Sequence, residues 1–262
     1  MALIAMTLYS TVENGKDEYL KRTLASLKET VNFDRHRLFL SINGTTPLTM
    51  SHIADSGIPN IEIIKNEGNI GTAEAINNCW FHRRDDEACI KMDDDIVFNK
   101  RNWADDLEDA AACDPTIGQI GCKRRDCIET PCNTNPFYKS ELIMLPHQPG
   151  QKWFVVEKCN HIMGSAVLHT TGFLKKCGYL YQLGPYGFDD SFASLRANLA
   201  GLKTVFLMGI DIEHIDRGDT MFQTWKEKEA SSHWVQYHQT VDEYRSGKKS
   251  LYYNPFQINP FE

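Results

Sequence analysis

Short apolar runs alternate with amphipathic stretches through the first hundred residues. Leu3-Ile-Ala-Met-Thr-Leu8 is fit for a buried strand and gives way to the polar segment Tyr9 to Gly15. Leu20, Leu24, Leu27 and Val31 then recur at spacings of four, three and four, which places them on one stripe of a helix facing a sheet. Arg37 to Ile42 predicts a second strand stopped by Asn43-Gly44, and Ile61 to Lys65 a third before the turn-rich Asn66 to Gly71. A helix capped by Thr72 runs through Ala73, Ile76 and Trp80, and Ala88 to Met92 reads as a fourth strand that ends on three aspartates. Strands alternating with helices of this length imply parallel pairing, so residues 1–100 read as a Rossmann-like half of an α/β fold.

The pattern changes beyond that point. Trp103 to Ala112 predicts a helix and Ile117 to Gly121 a strand, whereas residues 123–150 are rich in Pro, Asn and Cys. An insertion of that length is uncommon in a compact domain unless it carries function or borders a site. Trp153 to Glu157 is strand-like, Thr171 to Cys177 is a short helix ended by Gly178, and Ser191 to Ala200 a helix ended by Gly201. The strand Lys203 to Leu207 and the stretch Gly209 to His214 follow, then a polar, aromatic helical tail around Trp225 to Tyr244. With no internal repeat and no low-complexity linker, the expectation is a single domain over residues 1–262. It divides into a first half to residue 100, a second half over 101–220 and a tail over 221–262.

Composition agrees with a packed core, since 42% of the residues are hydrophobic and 24% charged. The net charge of −7 supplies no basic footprint for nucleic acid, and the patch Lys123-Arg124-Arg125 reads as a solvated loop, so DNA is admitted but not favoured. No apolar run approaches the roughly 18 residues that span a bilayer, and Met1 to Leu8 lacks the basic start of a signal peptide, which predicts a cytoplasmic protein. Its eight cysteines are then expected as reduced thiols. Cys122, Cys127 and Cys132 are evenly spaced and offer a zinc site with Cys159 or His161, although structural zinc sites favour tighter ligand pairs.

Three clusters carry chemistry. Asp93-Asp94-Asp95 follows an apolar strand directly, at the carboxyl edge where open α/β sheets bind ligands. Adjacent carboxylates repel, and a fold that holds them together commonly keeps a cation there. Hard oxygen ligands suit Mg²⁺ or Mn²⁺, which bridge carboxylates to substrate phosphates. A solvated acidic turn would look the same in isolation. Gly187-Phe-Asp189-Asp190 stands at a helix start, where capping also explains acidic residues. Asp211-Ile-Glu-His214-Ile-Asp216 alternates as a half-buried strand does.

Taken in order, these pieces resemble the family 2 glycosyltransferases and their GT-A relatives over most of residues 3–214. Asn66-Glu-Gly-Asn69-Ile-Gly71-Thr-Ala-Glu-Ala75-Ile-Asn77 looks like the family's Asn-rich turn into a helix, and Asp93-Asp-Asp95 like its DXD motif. Met163-Gly164-Ser165-Ala166 is similar to the small-residue segment on the acceptor side of the donor pocket. Cys177-Gly178-Tyr179-Leu180 is similar to the Gly-containing turn, and Gly187 through Arg196 and Gly201 to the acidic pair followed by Arg and Gly. Departures are Asp-Asp where Glu-Asp is usual, Phe192 in place of a third acidic residue, and Asn43 where many members carry Asp.

The resemblance implies a GT-A fold, a mostly parallel central sheet flanked by helices with a smaller acceptor-side sheet. It also implies an inverting glycosyltransferase whose donor is a nucleotide diphosphate sugar, UDP-glucose or similar. Asp190, with Asp189, would serve as general base; Asp93 and Asp94 would hold the nucleotide; Asp95 and His214 would hold Mn²⁺ or Mg²⁺. Thr7, Tyr9, Asn43, Asn69, Gly71 and Asn77 would contact the donor, and Gly164, Ser165 and Gly187 the acceptor side. The acceptor stays open between a glycan or cell-surface component, a small metabolite or protein, and, for a virus-encoded enzyme, a hydroxymethylated DNA base. A non-catalytic nucleotide-sugar-binding or glycan-binding module is the alternative of another class, and a homodimer is admitted. A nucleotidyltransferase is disfavoured because Thr7 to Gly15 lacks a Gly-rich loop with Lys or Arg.

Overall fold

The computed structural model describes residues 1–12, 14–126, 141–146, 152–216 and 221–257. Its strands are β1 (Ala2–Tyr9), β2 (Arg37–Gly44), β3 (Glu62–Lys65), β4 (Ala88–Met92), β5 (Ile96–Phe98), β6 (Ile117–Arg124), β7 (Glu141–Met144), β8 (Val155–Cys159), β9 (Ala166–His169) and β10 (Lys203–His214). The helices are α1 (Asp17–Thr30), α2 (Pro47–Asp55), α3 (Thr72–Trp80), α4 (Trp103–Cys113), α5 (Thr171–Cys177), α6 (Asp189–Leu199), α7 (Met221–Ser232) and α8 (Trp234–Arg245).

All the strands join one sheet in the order β3-β2-β1-β4-β9-β6-β10-β8-β7, with β5 paired to β10 off that path. β1 lies parallel to β2 and β4, β2 to β3, and β6 to β10. β9 runs antiparallel to β4 and β6, β8 to β10 and β7, and β5 to β10, so these three oppose the rest. A smaller group, β5, β7 and β8, expected as a separate sheet, is hydrogen-bonded into the main sheet through β10. That strand can serve both groups because its register with β6 shifts between Leu207 and Asp211, where Gly209 adopts φ +80°.

β1 is buried on both faces, as a strand flanked by parallel neighbours must be. Ile4, Met6 and Leu8 pack with the α1 stripe of Leu20, Leu24 and Leu27 and with Trp103 of α4. Leu3 and Ala5 point the other way, onto Ile76 and Trp80 of α3, Phe173 of α5 and Ala193 of α6. Each fully buried leucine of the stripe contributes about 2 kcal/mol. The fold is therefore three layers, with α1 and α4 on one face and α3, α5 and α6 on the other.

Several boundaries differ from the sequence expectation. Thr72 does not cap α3; it is the first helical residue, and Gly71 is the cap, with φ +89° and a missing side chain that would meet the Pro185 backbone at 2.9 Å. The strand expected at Trp153 to Glu157 begins at Val155, α6 starts at Asp189 rather than Ser191, and Lys203–His214 is one strand rather than two segments. Elements the periodicity did not reveal are α2, β5, β7 and β9. α2 carries a readable signal all the same, a Thr46 cap with Pro47 at the first turn. Of the insertion at 123–150, β6 takes the start and β7 lies inside it, while residues 127–140 and 147–150 lie outside the described residues.

A buried arginine holds the second half together. Arg196 of α6 is fully enclosed and donates to the carbonyls of Cys177 at 2.8 Å, Tyr179 at 2.6 Å and Leu251 at 3.3 Å. The end of α5, the turn after it and the C-terminal segment are thus fixed to one guanidinium. Arg196→Met keeps the volume and removes all three bonds, so it is expected to lower the unfolding free energy by about 3 kcal/mol. A urea midpoint that does not move would show that these carbonyls are served equally well without it.

Candidate active site

The sheet topology brings distant segments to one edge. β1 and β4 end there, and antiparallel β9 begins there: Met92 pairs with Ala166, and Asp93 N donates to Ser165 O at 3.0 Å. β10 ends at the same edge, where Ile215 N donates to Asp95 O at 2.9 Å. Residues 93–95, 164–165 and 214–216 are consequently neighbours. The turn Gly187-Phe188, at φ +97° and +65°, swings the N-terminus of α6 onto this edge, and Asp190 Oδ2 accepts from Gly164 N at 3.3 Å. A left-handed Phe is uncommon and strained, which fits a turn whose position serves the site.

The result is a cleft of about 850 Å³. It carries eight carboxylates (Asp93, Asp94, Asp95, Asp126, Asp189, Asp190, Asp216 and Glu227) against Lys16, Lys91, Arg124 and Lys226, with His214. A site so acidic is hostile to a bare phosphate and hospitable to a cation that could carry one.

Two buried lysines divide the carboxylates between them. Lys16 Nζ lies 2.6 Å from Asp95 Oδ2, 3.2 Å from Asp216 Oδ2 and 3.4 Å from Asp94 Oδ1. Lys91 Nζ donates to Gly164 O at 2.9 Å and faces Asp93 Oδ1 at 3.2 Å and Asp189 Oδ2 at 3.4 Å. Burial works against both ammonium charges, yet the surrounding aspartates outweigh it and raise both pKa values above the ordinary lysine value. Burial, with Asp95 and Asp93 adjacent, pushes the Asp94 carboxyl up to about 6 despite Lys16. Asp95 is equally buried but its pKa is lowered, because Lys16 and His214 together outweigh the burial.

Asp95 Oδ1 is buried, accepts no hydrogen bond and stands 3.5 Å from His214 Nε2. That oxygen and that nitrogen form a donor pair suited to a hard divalent ion whose other ligands come from phosphate and water. Among the described residues, no three His, Cys, Asp or Glu side chains converge as an ion site of their own. At the opposite wall Asp189 is nearly enclosed, its pKa raised by burial, while Asp190 is 28% exposed at its side chain. Asp190 Oδ1 accepts from Ser191 N at 2.7 Å, and its Oδ2 is 3.8 Å from His161 Nε2. A partly solvated carboxylate facing a cleft can accept a proton; a buried one beside an ammonium is better suited to holding position.

Of the residues singled out from the sequence, Thr7, Tyr9, Asp93, Asp94, Asp95, Gly164, Ser165, Gly187, Asp189, Asp190 and His214 all line this cleft. Thr7 Oγ1 is buried there without a hydrogen bond. The asparagines do not line it. Asn43 gives its amide to Asn69 Oδ1 and Gly71 O, each at 3.1 Å, and accepts from Asn66 Nδ2 at 2.9 Å, so its groups are spent on shaping the turn into α3. Asn69 and Gly71 belong to that same turn, and Asn77 is buried and bonded on both sides to the Leu180 backbone, at 2.9 Å each way.

Lys16, Lys91, Tyr186 and Lys226 escaped the sequence reading. Tyr186 lies beneath the Lys226 ammonium, 5.5 Å from its ring centre, and burial together with Asp93 pushes its hydroxyl up to about 12, so it stays a neutral donor. Lys226 Nζ also reaches Asp216 at 3.7 Å, which brings α7 over the cleft. Cys122 and Cys159 sit in separate core clusters, and Cys127 and Cys132 lie outside the described residues. The described cysteines are free thiols, and no helix among the described residues is long and apolar enough to cross a membrane.

No protein-family model and no curated protein matches the sequence. Solved structures do. The mannosyltransferase PcManGT from Pyrobaculum calidifontis, in complex with GDP-Man and Mn²⁺, superposes with a TM-score of 0.62 at 15% identity over 83% of this chain and 58% of that one. GalNAc-T7 with UDP, GalNAc and Mn²⁺ gives 0.58 at 14% identity over 82% of this chain and 44% of that one. S. aureus TarS gives 0.52 at 15% identity over 83% and 59%. The chain spans about half the length of these proteins. At such identities the likeness concerns architecture, and the chain has the GT-A fold of these glycosyltransferases.

Proposed function

We propose that the chain is a metal-dependent glycosyltransferase that moves a sugar from a nucleoside diphosphate donor to an acceptor hydroxyl with inversion at the anomeric carbon. One observation carries this reading: the Asp93–Asp95 edge and the Asp189–Asp190 helix start face one cleft in a fold shared with proteins solved with GDP-Man and Mn²⁺ and with UDP, GalNAc and Mn²⁺. The reaction needs two things in one place, charge neutralisation of a leaving diphosphate and a base for the attacking hydroxyl.

Asp95 and His214 would hold a divalent ion, Mn²⁺ or Mg²⁺. Bound there, the ion would supply Lewis-acid stabilisation of the departing phosphate oxygen. Thr7, Tyr9 and the carboxylates of Asp93 and Asp94 bind and orient the nucleotide at the end of β1 and β4. Lys91 fixes the base-bearing wall against the donor wall, since it bonds Gly164 O and faces both Asp93 and Asp189. Asp190 takes the proton from the acceptor hydroxyl as its oxygen attacks. Gly164 leaves room beside Asp190 for an acceptor, because a side chain there would come within 3.3 Å of Asp190 Cβ, and Ser165 and Gly187 line the cleft next to it. We infer that the donor is a UDP-sugar such as UDP-glucose and that the acceptor is a glycan. A cytoplasmic setting accords with the free thiols of the described cysteines.

Calorimetric titration of UDP-, GDP-, dTDP- and CDP-sugars with and without Mn²⁺ tests the donor half. One donor is expected to bind only with the ion, and Asp95→Asn to abolish that binding; no binding by any donor would reject the reading. For the acceptor half, Asp190→Asn is expected to lower turnover about 10²–10⁴-fold with donor affinity nearly unchanged. Equal turnover in the variant would remove Asp190 from the chemistry.

A further inference from the structure

The ammonium of Lys16 occupies a strongly cation-attracting position in the cleft. It lies within 3.4 Å of Asp94, Asp95 and Asp216, and only 5% of its side chain is exposed. Its backbone is fixed on both sides. Asn14 Oδ1 accepts from Thr11 N at 3.0 Å and from Lys16 N at 3.1 Å, and the next residue, Asp17, accepts from the hydroxyls of Thr46 at 2.7 Å and Thr49 at 2.5 Å. Lys16 is therefore aimed into the carboxylates by a built loop rather than carried there by a flexible one. Asp95 consequently divides its oxygens, Oδ2 going to Lys16 and Oδ1 remaining without a hydrogen bond toward His214.

An ion held by Asp95 Oδ1 and His214 would sit beside that ammonium. Like charges so close in a buried site repel strongly, and the carboxylate they share is already half neutralised. A diphosphate changes the balance, because its negative charge attracts both cations at once. From these contacts we infer that Lys16 is an internal counter-ion that keeps the divalent ion from binding ahead of the donor, so that metal uptake depends on the nucleotide. The inference rests on the proposed donor site and adds an order to its filling. It also gives a use to the four-carbon stem of lysine, whose mobile head can turn from the carboxylates to a phosphate without backbone movement. By linkage, the factor by which the nucleotide tightens the metal is the factor by which the metal tightens the nucleotide.

The test is Mn²⁺ binding by electron paramagnetic resonance, with UDP and GDP as the added nucleotides, on the full chain and on Lys16→Met, Lys16→Gln and Lys16→Arg. The wild type is expected to bind Mn²⁺ alone weakly and to tighten it with one nucleotide. Lys16→Met is expected to bind Mn²⁺ alone about tenfold tighter or more, losing much of the nucleotide dependence, while Lys16→Arg keeps the wild-type behaviour. Lys16→Gln, which retains hydrogen-bonding capacity for the carboxylates, gives the same gain if Lys16→Met does not fold. Tight binding of Mn²⁺ alone by the wild type, or no gain in folded Lys16→Met or Lys16→Gln, would overturn the inference. The donor reading fails separately, if the wild type shows no Mn²⁺-dependent binding of either nucleotide or of the sugar donors.

Discussion

Mutual repulsion among the carboxylates at one sheet edge is the constraint around which this structure is arranged. Three come from the end of β4, two from the start of α6 and one from just beyond β10, and all face the same cleft. They can coexist because Lys16 and Lys91, both nearly enclosed, stand between them as counter-ions. Each lysine spans two sequence-distant elements, so the electrostatic solution is also a mechanical one. Lys16 ties the start of α1 to the ends of β4 and β10, and Lys91 ties β4 to the Gly164 segment and to α6.

This division gives the two walls different surroundings. At the Asp93–Asp95 edge the charge is concentrated and only partly cancelled, and Asp95 retains an oxygen with no hydrogen bond beside His214. On the opposite wall Asp189 is held against Lys91, while Asp190 is partly solvated and fixed by two backbone N–H groups. The proposed transfer, with its diphosphate and attacking hydroxyl, calls for surroundings of these two kinds, and the antiparallel insertion of β9 between β4 and β6 brings the two walls next to one another. Low identity to solved glycosyltransferases is compatible with this, since the edge geometry depends on strand order more than on the residues between the motifs.

Much of this was legible in the residues. An apolar strand ending on Asp93-Asp94-Asp95 announces a ligand edge, and the alternation through Asp211 to Asp216 places His214 and Asp216 on a strand end. The leucine stripe of α1 and the glycines after α5 and α6 mark those helices and their stops. Lys16 was not legible, because a lysine after Gly15 in a polar loop has the same local signature whether it is solvated or buried; only the pairing of β1, β4 and β10 decides. Lys91 was hidden for the opposite reason, since a single charge within an apolar strand does not disclose its partner 73 residues away, the Gly164 carbonyl. The asparagines differ in a third way. Asn43, Asn69 and Asn77 match a nucleotide-binding pattern but do not line the cleft; Asn43 and Asn69 bond to each other and to Gly71, and Asn77 bonds to the Leu180 backbone. β9 has four residues, too few for periodicity to declare it.

In the proposed reading the carboxylate edge is a divalent-ion and diphosphate site with the base on its opposite wall. Anomalous diffraction from crystals grown with Mn²⁺ and the nucleoside diphosphate that binds would locate the ion. A manganese peak is expected between Asp95 and His214, with diphosphate oxygens on the ion and Asp190 across the cleft without a metal contact. A peak elsewhere in the cleft, or nucleotide bound with no manganese at Asp95, would contradict it.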